Sequence, residues 1–168
     1  MSRIYLLRHA KAVQALPGMK DFDRPLEDSG REMAERLSLT MLANGLIPER
    51  VIASPSVRTR QTWEPIAARI PREIDTQFDH TLFDGPDGSY ISAIRRSTGS
   101  KSVMLVGHNP MIEETAILLC GSRDPGARRK LLNGFPTGGL AVIDLPGALA
   151  EARPGAGNLV MFITGGAI

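Results

Sequence analysis

The chain has 168 residues, 42% hydrophobic and 23% charged, enough material for one layered domain around a buried sheet. Twenty Lys and Arg against eighteen Asp and Glu leave a formal charge of +2, and the basic residues are scattered, which argues against a nucleic-acid-binding stripe. The single cysteine, Cys120, excludes an intrachain disulfide and fits a reducing cytoplasm. The short apolar run at 4–7 gives no basis for an export signal or a membrane anchor.

The first element is IYLLRH at 4–9, a continuous apolar run that reads as a strand buried on both faces and ends abruptly in Arg8 and His9. After RPLEDSG, residues 29 to 44 place Met33, Leu37, Met41 and Leu42 on one side of a helix, with Gly45 and Pro48 as its stop. Ser29 and Glu32 have capping-box spacing, and Asp28 is the alternative cap. VIASPS at 51–56 is a second buried strand. The helix that follows aligns Val57, Ile66 and Ile70 and is expected to kink at Pro65.

A shorter helical pattern covers 90 to 96, and VMLVGHNP at 103–110 is the third buried strand. The next helix opens at Asn109 with Pro110 as its first residue. Glu113 and Glu114 suit the positive end of its dipole, and Gly121 follows its last turn. Strands near 140–145 and 158–164 complete the pattern, joined by a surface turn at 147–158. No repeat, low-complexity tract or linker interrupts it, so residues 1–168 are expected to form a single domain.

Strands alternating with helices imply an α/β fold with a mainly parallel sheet, whose strand C-termini share the edge where ligands bind. His9, His108 and Ser54 each end one of these strands, and Arg58 lies one turn beyond Ser54. A metal suits this set poorly, because Arg8 beside His9 would repel a cation. A tetrahedral oxyanion suits it well, since guanidinium forks match its oxygens and helix N-termini after 56 and 109 add N–H donors. Taken singly, each of these residues is an ordinary strand-end side chain; their convergence makes the site.

Other features carry less. His80 reads as a surface residue, and Arg128, Arg129 and Lys130 as a solvated basic face or a dock for an acidic partner. The glycine pairs at 138–139 and 165–166 lack the P-loop pattern, and the methionines read as core filler.

LLRHAKA (6–12), DRPLEDSG (23–30), ASPSVRTRQT (53–62), VGHNPMIEE (106–114) and FPTGGLAVIDL (135–145) follow one another in this order. Together they resemble the histidine phosphatase superfamily, and within it the small phosphohistidine phosphatase branch. The resemblance implies a phosphoglycerate mutase-like three-layer α/β/α sandwich, with no cofactor and no metal. It implies His9 as nucleophile, Arg8 and Arg58 as phosphate ligands, His108 completing the pocket, and Arg24 as a further anion ligand. Ala10 stands where many members carry glycine, and Pro65 and Gly134 also depart from the usual pattern.

The implied reaction is phosphoryl transfer to His9 followed by hydrolysis, with His108, if protonated, donating to the phosphoryl oxygens. Asp84 is the first choice for protonating the leaving group, with Asp21 and Asp23 as alternatives. The span from 71 to 101 is too short for the inserted subdomain of larger relatives, and an open pocket suits a phosphorylated side chain on a protein. The expected partner is therefore a protein carrying phosphohistidine, or else a small phosphate ester, with neither nucleic acid nor membrane involved. Three rivals remain: a phosphatase of small phosphomonoesters, a non-catalytic phosphate-binding module, and a metal-dependent hydrolase.

Overall fold

The computed structural model describes residues 1–120 and 125–165. Strands β1 (Ser2–Arg8), β2 (Arg50–Ala53), β3 (Asp75–Phe78), β4 (Ser102–Gly107), β5 (Leu140–Leu145) and β6 (Asn158–Ile163) form one sheet in the order β3-β2-β4-β1-β5-β6. Helices α1 (Asp28–Ala43), α2 (Val57–Arg69), α3 (Thr81–Asp84), α4 (Ser89–Arg96), α5 (Met111–Cys120) and α6 (Pro125–Leu132) accompany it. Among the described residues, no helix is long and apolar enough to cross a membrane.

The apolar run of β1 is continuous because both of its faces are covered. Ile4 and Leu6 join a core layer with Leu105, Ile94, Ile112 and Leu119, drawn from β4, α4 and α5. Tyr5 and Leu7 join the opposite layer with Leu37, Met41, Trp63 and Ile66, from α1 and α2. Successive side chains of a strand point to opposite faces, so this division makes the three-layer α/β/α sandwich.

β1 to β4 are mutually parallel, but β5 runs antiparallel to both β1 and β6, with Leu140 opposite Leu7. The expectation that every strand ends at one edge therefore fails for β5. Its start, not its end, lies beside Arg8, which brings the FPTGG loop to the functional edge.

Several local expectations shift. The N-cap of α1 is Glu27, and Ser29 Oγ donates to the Glu27 carboxylate at 3.2 Å instead of closing a capping box with Glu32. The buried stripe of α1 is Gly30, Ala34, Leu37, Ser38 and Met41; Leu42, about 100° further round the helix from Met41, is exposed. α2 runs through Pro65 and buries Arg58, Thr59, Thr62, Trp63 and Ile66, with Val57 and Ile70 only half-buried at its ends. α5 begins at Met111, one residue after the expected first residue Pro110.

The 147–158 segment is less superficial than a surface turn, since Leu149 and Ala152 are buried. Arg129 and Lys130 are exposed on α6. Gly121, Gly166 and the side chain of Arg128 lie outside the described residues.

Gly107, the last residue of β4, explains how the sheet edge holds its shape. The Tyr90 hydroxyl donates to the Leu82 carbonyl at 2.7 Å and accepts the His108 N–H at 3.0 Å, and a methyl at position 107 would collide with that hydroxyl and its ring. Gly107→Ala is expected to cost about 1–3 kcal/mol by overpacking a rigid site. Chemical denaturation measures the loss, and a variant as stable as the parent would show that Tyr90 moves aside freely.

Candidate active site

Residues Arg8 and His9 leave the C-terminal end of β1 under tight backbone control. Arg8 N–H donates to the Gly139 carbonyl at 3.0 Å and His9 N–H to the Gly107 carbonyl at 3.0 Å. Gly138 N–H points back at the carbonyls of Arg8 and His9, at 3.1 and 3.0 Å. Gly138 has φ +68°, and Met33 fills the space where a side chain would go, so this close approach requires glycine. Ala10 packs with Leu26 and Ala34, and its N–H donates to Thr62 Oγ1 at 2.9 Å, so its methyl is accommodated without disturbing His9.

His9 is 7% exposed, and its Nδ1 lies 2.7 Å from the Ala10 carbonyl oxygen. A carbonyl only accepts, so the proton sits on Nδ1 and the Nε2 lone pair faces the pocket. Arg58 Nε donates to that nitrogen at 3.3 Å. Burial pushes the His9 pKa down to about 4; the charges of Arg58, Arg8 and Arg24 add to it and the Ala10 carbonyl opposes it.

His108 follows β4 and is 6% exposed, its ring centroid 5.3 Å from that of His9. Arg58 Nη2 lies 3.2 Å from Nδ1, and Ser54 Oγ lies 2.8 Å from Nε2. A guanidinium only donates, so Nδ1 accepts and the Nε2 proton goes to Ser54. Burial, reinforced by Arg58 and His9, takes the His108 pKa down to about 3. The ring is therefore neutral in this arrangement, so a protonated His108 donor would have to arise on binding of an anion.

Arg58, 5% exposed in the first turn of α2, puts two further N–H groups on Asp21, with Nη1 to the carbonyl at 2.6 Å and Nη2 to Oδ2 at 3.0 Å. Arg24 Nε lies 3.4 Å from Asp21 Oδ1 but makes no hydrogen bond there. Arg8 Nη1 donates to the Phe135 carbonyl at 2.8 Å, which also accepts from Asn109 Nδ2 at 3.1 Å, and Arg8 Nε is buried without a partner. Arg58 thus contacts the His9 imidazole directly, the charges of Arg8 and Arg24 act on it as well, and these last two carry buried, unsatisfied Nε donors. That donor set fits a tetrahedral oxyanion.

The candidate carboxylates separate clearly. Asp21 is the one in contact with the cluster; burial opposes its ionisation, but the Arg58 hydrogen bond and the charges of Arg58 and Arg24 hold its pKa below the usual range. All three are exposed, and neither Asp23 nor Asp84 shares Asp21's hydrogen bond to Arg58. The neighbour of Asp84, Phe83, reaches the site instead, edge-on to His108 at 5.6 Å between centroids. Sequence reasoning missed Phe83 and the structural part of Asp21. An aromatic in a four-residue helix and an acid in the 21–23 turn, both too short for a period, gave no signal beyond their nearness to the motifs.

Both buried imidazoles fix a pH dependence. Free histidine titrates near 6.5, whereas His9 and His108 titrate at about 4 and about 3 here, so below pH 6.5 the unfolded chain binds protons that the folded chain does not. Stability is expected to be fully present above about pH 6.5. It falls as the pH drops toward 3, by at most about 1.4 kcal/mol per pH unit for each histidine. Urea midpoints at pH 7, 5.5 and 4.5 check it; a flat profile would mean that the imidazoles are solvated.

Comparison with known proteins gives a consistent picture. Residues 4–84 match the family model of the histidine phosphatase superfamily (branch 1). The crystal structure of SixA from Agrobacterium tumefaciens aligns with a TM-score of 0.85 at 34% identity, over 97% of each chain. An uncharacterized protein of Mycobacterium tuberculosis is 31% identical over 160 residues, 93% of this chain and 98% of its own. The phosphohistidine phosphatase SixA of Escherichia coli is 26% identical over 131 residues, 73% of this chain and 77% of its own.

Proposed function

The chain belongs to the histidine phosphatase superfamily, in its SixA-type branch, and from that premise we propose that it dephosphorylates phosphohistidine on proteins through a covalent intermediate on His9. The observation that carries the reading is the unprotonated Nε2 of a buried His9, in contact with Arg58 and under the charges of Arg8 and Arg24, whose buried Nε donors are unsatisfied.

In the first step, Arg58 Nε turns from His9 Nε2 to the phosphoryl oxygens, the freed Nε2 lone pair attacks phosphorus in line, the substrate's P–N bond breaks, and the departing imidazole leaves neutral, with the proton of its other ring nitrogen. Arg8, Arg24 and Arg58 hold the phosphoryl oxygens as charge shifts between attacking and leaving nitrogens. In the second step, water attacks phosphorus, the P–Nε2 bond breaks, and inorganic phosphate and free His9 are released. His108 is held by Ser54 and Arg58 against the same anion. Arrival of a phosphoryl group favours its protonated form, since a nearby negative charge raises an imidazole pKa.

Phosphohistidine can be protonated at its other ring nitrogen, so that its imidazole departs neutral without a proton from the enzyme. This matches a site whose one engaged carboxylate, Asp21, is ionised and spoken for by Arg58. Asp84, exposed at the end of α3 beside Phe83, remains our candidate donor for substrates that need one. A protein substrate is supported by the modest cover: between β3 and β4 the chain builds only α3 and α4.

The test is turnover of a phosphohistidine peptide against sugar phosphates, with and without chelator. Preference for the peptide, unaffected by chelation, is the expected result. A large preference for sugars would favour a small-ester phosphatase, and activity lost to chelator and restored by a divalent ion would favour a metal-dependent hydrolase. No turnover at all would leave a binding module.

A further inference from the structure

Five rings lead outward from the nucleophile in one connected series. His108 lies 5.3 Å from His9, Phe83 lies 5.6 Å from His108 and edge-on to it, Phe22 meets Phe83 edge-on at 5.1 Å, and His80 stacks on Phe22 at 6.2 Å with planes 7° apart. Exposure rises along the series: His9 and His108 are buried, Phe83 and Phe22 half-buried, and His80 exposed. Of the five phenylalanines only Phe135 is buried, and Phe22 and Phe83 are the two that join this series. Both are tied to the anion cluster, since the Arg58 guanidinium carbon sits 5.9 Å from the Phe83 ring centre and Phe22 follows Asp21, the Arg58 partner.

In-line attack places the leaving group on the far side of phosphorus from His9 Nε2, and because His9 is buried that group departs toward solvent. We propose that Phe83, Phe22 and His80 form an aromatic wall that receives the imidazole of the substrate phosphohistidine. The wall rests on the phosphohistidine reading and deepens it. Flat rings set edge-on and stacked offer π-faces to a planar heterocycle, whereas an aliphatic or ammonia leaving group finds no such partner. The wall therefore discriminates by leaving group while the guanidiniums grip whatever phosphoryl group arrives.

The experiment compares kcat/KM for a phosphohistidine peptide with kcat/KM for phosphoramidate, whose leaving group is ammonia, in the parent, Phe83→Leu, Phe22→Leu and Phe83→Tyr. The ratio of peptide to phosphoramidate is expected to fall about tenfold in the leucine variants, the range of an aromatic pair, and to be retained in Phe83→Tyr. Equal losses on both donors, with the ratio unchanged, would show that the rings only pack α3 against the 21–23 turn, and would overturn the wall. Should the parent turn over phosphoramidate but not the peptide, the wall again falls while the phosphatase chemistry stands. Inactivity of the parent on both donors would remove the phosphatase reading and the wall with it.

Discussion

His9→Ala and His9→Asn are expected to lose turnover by on the order of 10⁴- to 10⁶-fold, because without Nε2 no covalent intermediate forms and water must attack the substrate directly. Mixing the parent protein with a labelled phosphodonor and quenching in denaturant should leave label that survives base and is released by acid, as a phosphorus–nitrogen bond requires. Mapping should place it on His9, and both variants should stay unlabelled. Because His9 titrates at about 4, its nucleophilic form is already dominant at pH 5, so labelling should not decline between pH 7 and pH 5. Label on another residue, or a variant that keeps its rate, would defeat the mechanism. The asparagine variant keeps a polar side chain in the buried niche and guards against mistaking misfolding for lost chemistry.

The three strands that deliver the site were legible because their apolar runs are unbroken. A run such as VMLVG stays unbroken only where helices cover both faces, and all six residues of β4 are indeed buried. β3 was illegible for the converse reason: as an edge strand with residues DTQF, mostly exposed, it has neither an apolar run nor alternation. The direction of β5 could not be read either. Leu140–Leu145 has the same apolar pattern from either end, and direction is decided by pairing with β1 far away in sequence. Leu42 was misassigned because a run of apolar residues at a helix end leaves open which of them faces the sheet.

Arg8, His9, Arg58 and His108 were legible as candidates because each breaks the chemistry of its surroundings, a polar group at the end of a strand or in the first turn of a helix. Asp21 and Phe83 break nothing, since acids and aromatics are ordinary in turns and one-turn helices. Their importance appears only when the 21–23 turn and α3 are folded over the same edge, with Asp21 on Arg58 and Phe83 on His108. The protonation state of His108 was out of reach for a similar reason. It depends on burial and on the Arg58 and Ser54 contacts, neither of which a motif encodes.

Arg58→Ala is expected to lower kcat/KM by on the order of 10² to 10³, about 3–4 kcal/mol of transition-state stabilisation. The estimate is the cost of one preorganised donor, and Arg58 does more than donate to the anion. Its Nε fixes His9 Nε2, its Nη2 fixes His108 Nδ1, and its fork pins Asp21. Removal frees the Asp21 carboxylate, whose negative charge then repels the phosphoryl group and which becomes easier to protonate. Arg58→Lys keeps the charge but cannot reach three partners with a single ammonium, so it should recover only a small part of the loss. Asp21→Asn tests the coupling: combined with Arg58→Ala it should cost less than the sum of the single changes, because the repulsion exists only when the arginine is gone and the acid remains. Additive losses would mean that Asp21 merely anchors the loop, and an Arg58→Ala variant within threefold of the parent would remove Arg58 from the reacting site altogether.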